Sequence, residues 1–136
     1  MRPTAATLAI LVMLGVAVSA QAKPKKVRVD TDVAIGGYDV DEGADLVTFF
    51  GEISSLRRKC LRRRTIHLEQ TTLGLDAGTA TSNRQGEWEV AFDELAIRRG
   101  AFVATAAKRK YRKRRHGEVK RVVVCKRATS PVFDAR

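Results

Sequence analysis

Hydrophobic and polar residues alternate along most of this chain, and the first clear run spans residues 47–53. Val47, Phe49, Gly51 and Ile53 fall on every second position and alternate with Thr48, Phe50 and Glu52. Successive side chains of a β-strand point to opposite faces of its sheet, so a period of two is typical of a half-buried strand. The run therefore predicts a strand with one face in a core.

Three further runs alternate in the same way. Their apolar positions are Ile66 and Leu68, then Trp88, Val90 and Phe92, then Phe102, Ala104 and Ala106. Residues 122–124 are consecutive valines, as expected of a strand buried on both faces. Residues 26–30 predict a first strand, and only residues 92–99 have the spacing for a helical turn. About seven short strands without a sustained helix predict an all-β fold, a single antiparallel β-sandwich.

Glycine and small polar residues separate the runs. Residues 82–86 (SNRQG) suit a short hairpin loop, because Asn83 can hydrogen-bond its own backbone and Gly86 can adopt a positive φ. Further breaks are expected at glycine-containing positions, namely 36–37, 43, 74–78, 100 and 116–117.

Residues 30–45 are acidic and contain no basic residue. The carboxylates are Asp30, Asp32, Asp39, Asp41, Glu42 and Asp45. Such a segment suggests calcium, but this spacing matches no EF-hand loop, and we expect no metal or other cofactor. We expect a solvated, partly flexible loop. A further use would be ion pairing with basic residues of the same molecule or of a second copy.

The chain begins with a segment typical of export signals. An apolar run of about 14 residues follows Arg2, and Ala20-Gln21-Ala22 fits the pattern read by signal peptidase. A membrane-spanning helix needs roughly 20 such residues. We therefore expect a cleaved signal peptide over residues 1–22 and a secreted, periplasmic or cell-envelope protein. Cleavage after Ala20 and an uncleaved anchor are the alternatives.

Residues 23–136 suffice for one small domain. Its two cysteines, Cys60 and Cys125, lie 65 positions apart. In a reducing cytosol they would be buried thiols, whereas in an exported chain a disulfide between them is favoured. A metal site is disfavoured, because His67 and His116 show no ligand spacing relative to the cysteines.

Basic residues dominate the charge, with 26 Lys and Arg against 15 Asp and Glu and a net charge of +11. They concentrate in residues 57–64 and in residues 108–115 (KRKYRKRR), which lead into the turn at 116–117. Arginine grips phosphate and carboxylate groups bidentately, and Tyr111 could stack on a ring. The disulfide is expected to merge both segments into one face. The candidate polyanion-binding residues are Lys108, Arg109, Lys110, Arg112, Lys113, Arg114, Arg115, Lys120, Arg121, Arg57, Arg58, Arg62 and Arg63.

The order of strand and turn motifs resembles a known family. The motifs are FGEISS at 50–55, Cys60, RTIHL at 64–68, GTAT at 78–81 with GEWEV at 86–90, GAFVA at 100–104, and Cys125. They resemble small exported bacterial transthyretin-like domains, also called carboxypeptidase-regulatory-like or prealbumin-like domains, over residues 45–127. The resemblance implies a seven-stranded, immunoglobulin-like sandwich that serves as a binding or spacing module, usually without catalysis.

No catalytic motif accompanies these features, so we expect no enzyme activity. His67 is expected on a strand surface, and Trp88 and Phe92 in the core. The expected function is a non-enzymatic module that binds an anionic envelope glycopolymer, an acidic glycan or extracellular nucleic acid. If the leader stays uncleaved, the basic face would meet anionic lipid headgroups. The alternative is a structural or protein-interaction spacer whose charge serves solubility only.

Overall fold

The protein is an all-β structure in which antiparallel sheets pack as a sandwich, which confirms the predicted fold class. The computed structural model describes Gly15, residues 23–93 and residues 98–136. These residues form eleven strands rather than about seven, with a 3-10 turn at Arg58–Cys60. The strands are β1 (Lys25–Val29), β2 (Thr31–Asp41), β3 (Leu46–Ser55), β4 (Thr65–Gln70), β5 (Leu75–Thr81), β6 (Glu87–Phe92), β7 (Gly100–Ala106), β8 (Arg109–Arg115), β9 (Glu118–Cys125), β10 (Ala128–Thr129) and β11 (Phe133–Ala135).

Two of the three sheets form the sandwich. One has the strand order β2-β3-β6, and the other has the order β10-β7-β4-β5 with β11 also paired to β7. Their facing sides share one core, in which the rings of Phe49 and Phe102 have centroids 4.2 Å apart. The alternation identified in the sequence is confirmed in these strands. Their predicted apolar positions are buried or packed against the core, whereas Phe50 and Glu52 point outward.

The third sheet has the order β1-β9-β8 and lies outside the sandwich core. Strand β1 pairs with β9 in parallel, and β8 and β9 form an antiparallel hairpin around the predicted turn at 116–117. One side of this sheet packs on a second apolar cluster built around the disulfide between Cys60 and Cys125, both fully buried. The predicted disulfide is thereby confirmed, and it fixes the 3-10 turn to the third sheet.

The guanidinium of Arg64 joins the third sheet to the sandwich. The side chain is fully buried and faces no carboxylate within the described part of the chain. Its nitrogens donate to the carbonyl oxygens of Cys60 (2.9 Å), Ala107 (3.0 Å) and Lys126 (2.8 Å), and to Oγ1 of Thr31 (3.1 Å). Burial lowers the pKa of Arg64, and the positive charge of Arg109 lowers it further. Four chain segments that pass between the sheets therefore meet at one cation.

The prediction of a loop across residues 30–45 is wrong for most of that segment. Residues 31–41 form β2, which pairs along its whole length with β3. The predicted break at 36–37 is a β-bulge inside the strand, where Gly37 lies against the ring of Phe50. A turn follows only at residues 42–45. Outward carboxylates are compatible with a strand that has a single buried face.

The segment at 82–86 is a tight turn, but it does not close a hairpin. Oδ1 of Asn83 accepts hydrogen bonds from the backbone of Gln85 (3.0 Å) and Glu87 (2.9 Å), and Gly86 has a φ of 87°. Strands β5 and β6 on either side belong to different sheets. The turn therefore carries the chain across the sandwich. The predicted signal peptide, apart from Gly15, and residues 94–97 of the predicted helical turn lie outside the described residues.

Gly51 lies in β3 between Ala34 of β2 and Trp88 of β6, with no room for a side chain. A Cβ at this position would overlap the carbonyl oxygen of Ala34 and the ring of Trp88. We expect Gly51→Ala to lower the free energy of unfolding by about 2 kcal/mol, because an overpacked site forces its neighbours to shift. Urea denaturation measures this change. Gly43→Ala, in the exposed turn, should stay within about 0.5 kcal/mol of the unsubstituted protein, and equal losses in both variants would contradict the packing explanation.

Candidate anion-binding face

The outer side of the third sheet carries two rows of positive charge. The cross-strand rows Lys26–Val122–Arg112 and Arg28–Val124–Lys110 place their members on one side of the sheet. The four charged residues are exposed. We call this side, made of Lys26, Arg28, Lys110, Arg112, Val122 and Val124, the cationic face.

The dimensions of the cationic face follow from strand geometry. Charged residues two positions apart on one strand are separated by roughly 6.6 Å, and the two outer strands by roughly 9.6 Å. Val124 is only 4% exposed although it lies on the open side. Its neighbours in the row are long cationic side chains, whose aliphatic stems can lie over apolar surface while their charged ends stay in water. Val122 and Val124 of β9 therefore lie between the cations of β1 on one side and those of β8 on the other.

The electrostatics of the cationic face are uncompensated. None of its four cations forms an ion pair with any described residue. Carboxylates occur only at the ends of the sheet, where Glu118 bonds Lys120 (2.8 Å) and Asp30 bonds Lys126 (2.7 Å). The hydrogen bond and the charge of Lys120 lower the pKa of Glu118. Lys120, one of the predicted anion-binding residues, therefore forms a solvent-exposed ion pair with Glu118.

The inner side of the same sheet holds residues that the sequence predicted for binding. Arg109 donates through one nitrogen to the carbonyl oxygens of Lys59 (2.9 Å) and Arg62 (2.8 Å). Tyr111 packs on the disulfide cluster, and the ammonium of Lys59 lies over its ring, 5.2 Å from the centroid. The proposed use of Tyr111 for stacking is therefore wrong, because its ring is occupied within the molecule. Arg109 holds the 3-10 turn in place.

The remaining predicted residues divide between two surfaces. Of those on or next to β8 and β9, Lys108, Arg114, Arg115 and Arg121 are exposed, and Lys113 is half-buried. Those in the segment 57–63 belong to the loop that covers the inner side of the sheet, with Arg58 and Arg63 exposed and Arg57 and Arg62 half-buried. The disulfide brings the segment 57–63 to the inner side of the sheet, where it meets Arg109, whereas Lys110 and Arg112 of the same strand lie on the outer side. Part of the segment 108–115 therefore shares a surface with residues 57–63, and the rest belongs to the cationic face.

Sequence reasoning missed the contribution of β1. Lys26 and Arg28 supply half of the charge on the cationic face, yet only their place in a first strand was predicted. The available signal was their alternation with Val27 and Val29, which pack on the disulfide cluster. That alternation indicates an outward row of cations, but not that the row lies beside β9.

The structure also places the other residues considered for chemistry. His67 is half-exposed on β4 as predicted, and its Nε2 lies 3.6 Å from Oδ1 of Asp76 on β5. Trp88 is buried in the core as predicted, and Phe92 is half-buried against it. Within residues 23–93 and 98–136, no three His, Cys, Asp or Glu side chains are placed to hold a metal ion. In the same residues, no helix is long and apolar enough to cross a membrane.

Comparisons of this chain with models of protein families, with curated proteins and with solved structures found no match.

Proposed function

We propose that this protein is a non-enzymatic β-sandwich module that binds an anionic polymer along its cationic face. The observation that carries the proposal is the register of the third sheet, which aligns two pairs of exposed cations with no carboxylate in their rows. Like charges held this close repel one another, and a polyanion relieves that repulsion while releasing its own counterions.

The shape of the face supports a polymer as the ligand. Its two rows are open to solvent along the sheet, so successive anionic groups of one chain can reach cations of both rows. The Arg28 and Arg112 guanidinium groups suit bidentate contact with phosphate, sulfate or carboxylate groups, and the lysines act as point charges. An envelope glycopolymer, an acidic glycan and extracellular nucleic acid all carry such groups.

The disulfide supports a location outside the cytosol. Disulfides form and persist in oxidising compartments. The disulfide between the buried residues Cys60 and Cys125 is therefore compatible with an exported protein. We therefore propose a secreted or cell-envelope protein that meets its polymer there. The transthyretin-like resemblance, which implies an accessory binding or spacing module, is part of this proposal and agrees with an all-β sandwich.

The test compares two triple variants with equal changes in charge. The face variant replaces Arg28, Lys110 and Arg112 by glutamine, and the control variant replaces Arg99, Arg127 and Arg136 by glutamine, all exposed and none of them a member of the cationic face. Binding of a single-stranded oligonucleotide and retention on heparin are measured across salt concentrations. Each phosphate contact contributes roughly 0.7 to the slope of log K against log salt, so the face variant should lose about 2 from that slope.

The control variant should retain most of the slope and of the heparin retention. Equal losses in both variants would show that only net charge matters and would overturn the proposed face. An unsubstituted protein that binds neither probe at low salt would overturn the function itself. Circular dichroism of each variant confirms that the fold is retained.

A further inference from the structure

A second cationic site lies on the other side of the third sheet, between the 3-10 turn and the turn at 82–86. It is a surface pocket lined by Arg58, Lys59, Leu61, Arg62, Arg84 and Gln85. Four of these six residues are cationic and none is acidic. Arg58 and Arg62 belong to the basic segment 57–64, whereas Arg84 comes from the separate turn at 82–86.

Arg62 gives this pocket a feature that a solvated basic surface lacks. Its Nε is buried and has no hydrogen-bond partner in the described part of the chain. A buried donor without an acceptor costs roughly 1–3 kcal/mol, and more when it belongs to a charged group. None of the four cations forms an ion pair with the described residues. The pocket thus combines an unsatisfied buried donor with two further arginines, Arg58 and Arg84, and with Lys59, whose ammonium lies over the Tyr111 ring.

The two walls of the pocket are held in fixed positions. Ser82 accepts at its carbonyl oxygen from the backbone nitrogen of Arg63 (3.0 Å), and its own nitrogen donates to the carbonyl oxygen of Arg64 (2.9 Å). Arg109 donates hydrogen bonds to the carbonyl oxygens of Lys59 and Arg62, and the disulfide anchors the 3-10 turn. A preorganised site loses little conformational entropy on binding, so even a small ligand can be held there.

We infer that this pocket binds a single tetrahedral oxyanion group, a phosphate or sulfate monoester, separately from the polymer on the cationic face. The guanidinium groups of Arg58, Arg62 and Arg84 have the fork geometry to contact the oxygens of the anion, and a small rotation of the Arg62 side chain would give its buried Nε an acceptor. The amide of Gln85 supplies an uncharged donor at the rim. The inference does not depend on the proposed function, because no residue of the pocket belongs to the cationic face.

The test follows the arginine Nε–H signals by nuclear magnetic resonance while inorganic phosphate or inorganic sulfate replaces chloride at constant ionic strength. We expect a saturable shift of the Arg62 signal. Arg84→Gln, an exposed turn substitution, should weaken that binding by roughly tenfold, the effect of about 1.4 kcal/mol. Arg99→Gln, which removes an exposed charge elsewhere, should leave it unchanged.

If both inorganic phosphate and inorganic sulfate shift the Arg62 signal, the pocket accepts either a phosphate or a sulfate monoester. If only phosphate shifts the signal, the pocket is specific for phosphate. A linear shift without saturation, or equal weakening by Arg84→Gln and Arg99→Gln, would overturn the inference. The face variant with Arg28, Lys110 and Arg112 replaced should bind phosphate like the unsubstituted protein. Loss of oligonucleotide binding with phosphate binding retained would therefore separate the two sites.

Discussion

Replacement of Arg64 by methionine should lower the free energy of unfolding by at least about 3 kcal/mol. Methionine fills much of the volume but cannot donate, so the buried carbonyl oxygen of Cys60 and the partly buried carbonyl oxygens of Ala107 and Lys126 would lose the guanidinium N–H groups that they accept. Each unsatisfied buried carbonyl costs roughly 1–3 kcal/mol. Small domains have only about 5–15 kcal/mol of stability in total, so this loss would be large.

Arg64→Ala should cost more than Arg64→Met, by about 1–2 kcal/mol, because it also leaves a cavity. Arg63→Ala is the matched control, since it removes the same charge from an exposed neighbour and should change the free energy of unfolding by less than about 0.5 kcal/mol. Chemical denaturation measures all three variants. If Arg64→Met proved as stable as Arg63→Ala, the guanidinium would contribute no net stability at the junction.

The contrast between these neighbouring arginines shows what a local pattern can identify. In the sequence both belong to one basic segment, and composition cannot distinguish them. Arg64 does share the parity of Ile66 and Leu68, which points it toward the core. Whether a cation can occupy such a position depends on acceptors that arrive from residues 31, 60, 107 and 126. The positions of those acceptors depend on the tertiary fold, so they cannot be predicted from the basic segment alone.

Local alternation predicted the sandwich strands well because each strand must bury one face. The same rule applied to β2, where Val33 and Ile35 face inward and Asp32 points to solvent. The strand was not predicted because Gly36 and Gly37 indicated a turn and the outward acids indicated a solvated loop. Gly37 belongs in the strand because the Phe50 ring occupies the space that its side chain would need. A glycine in a sequence can thus mark a close contact as well as a turn.

The cationic face was only half predictable for a different reason. The hairpin of β8 and β9 is local, and the alternation of side chains along β8 is enough to place Lys110 and Arg112 on the same side. Strand β1 joins β9 in parallel from the other end of the domain, and parallel pairs need long connections. No local pattern states which distant strand will be the partner. The addition of Lys26 and Arg28 to the face therefore required the structure.

Removal of the disulfide should destabilise the protein by about 4 kcal/mol and should act mainly on the third sheet. In the chain-entropy model a crosslink that closes a loop of about 66 residues contributes roughly this amount, by restricting the unfolded chain. The crosslink joins the 3-10 turn to the end of β9, so its loss frees the turn that covers the inner side of that sheet. Urea denaturation of the Cys60→Ala, Cys125→Ala double variant measures the change.

Two controls distinguish the effect of losing the crosslink from the effect of replacing the two cysteine side chains. Reductant present during denaturation should lower the midpoint of the unsubstituted protein toward that of the double variant and leave the double variant unchanged. Hydrogen exchange should accelerate more in β8 and β9 than in β3 and β4, because segments with fewer tertiary contacts open at lower free energy. Equal denaturation midpoints with and without the cysteines would contradict the prediction. Uniform acceleration would show that the disulfide stabilises the sandwich and the third sheet as one unit, which would also couple the cationic face to the whole fold.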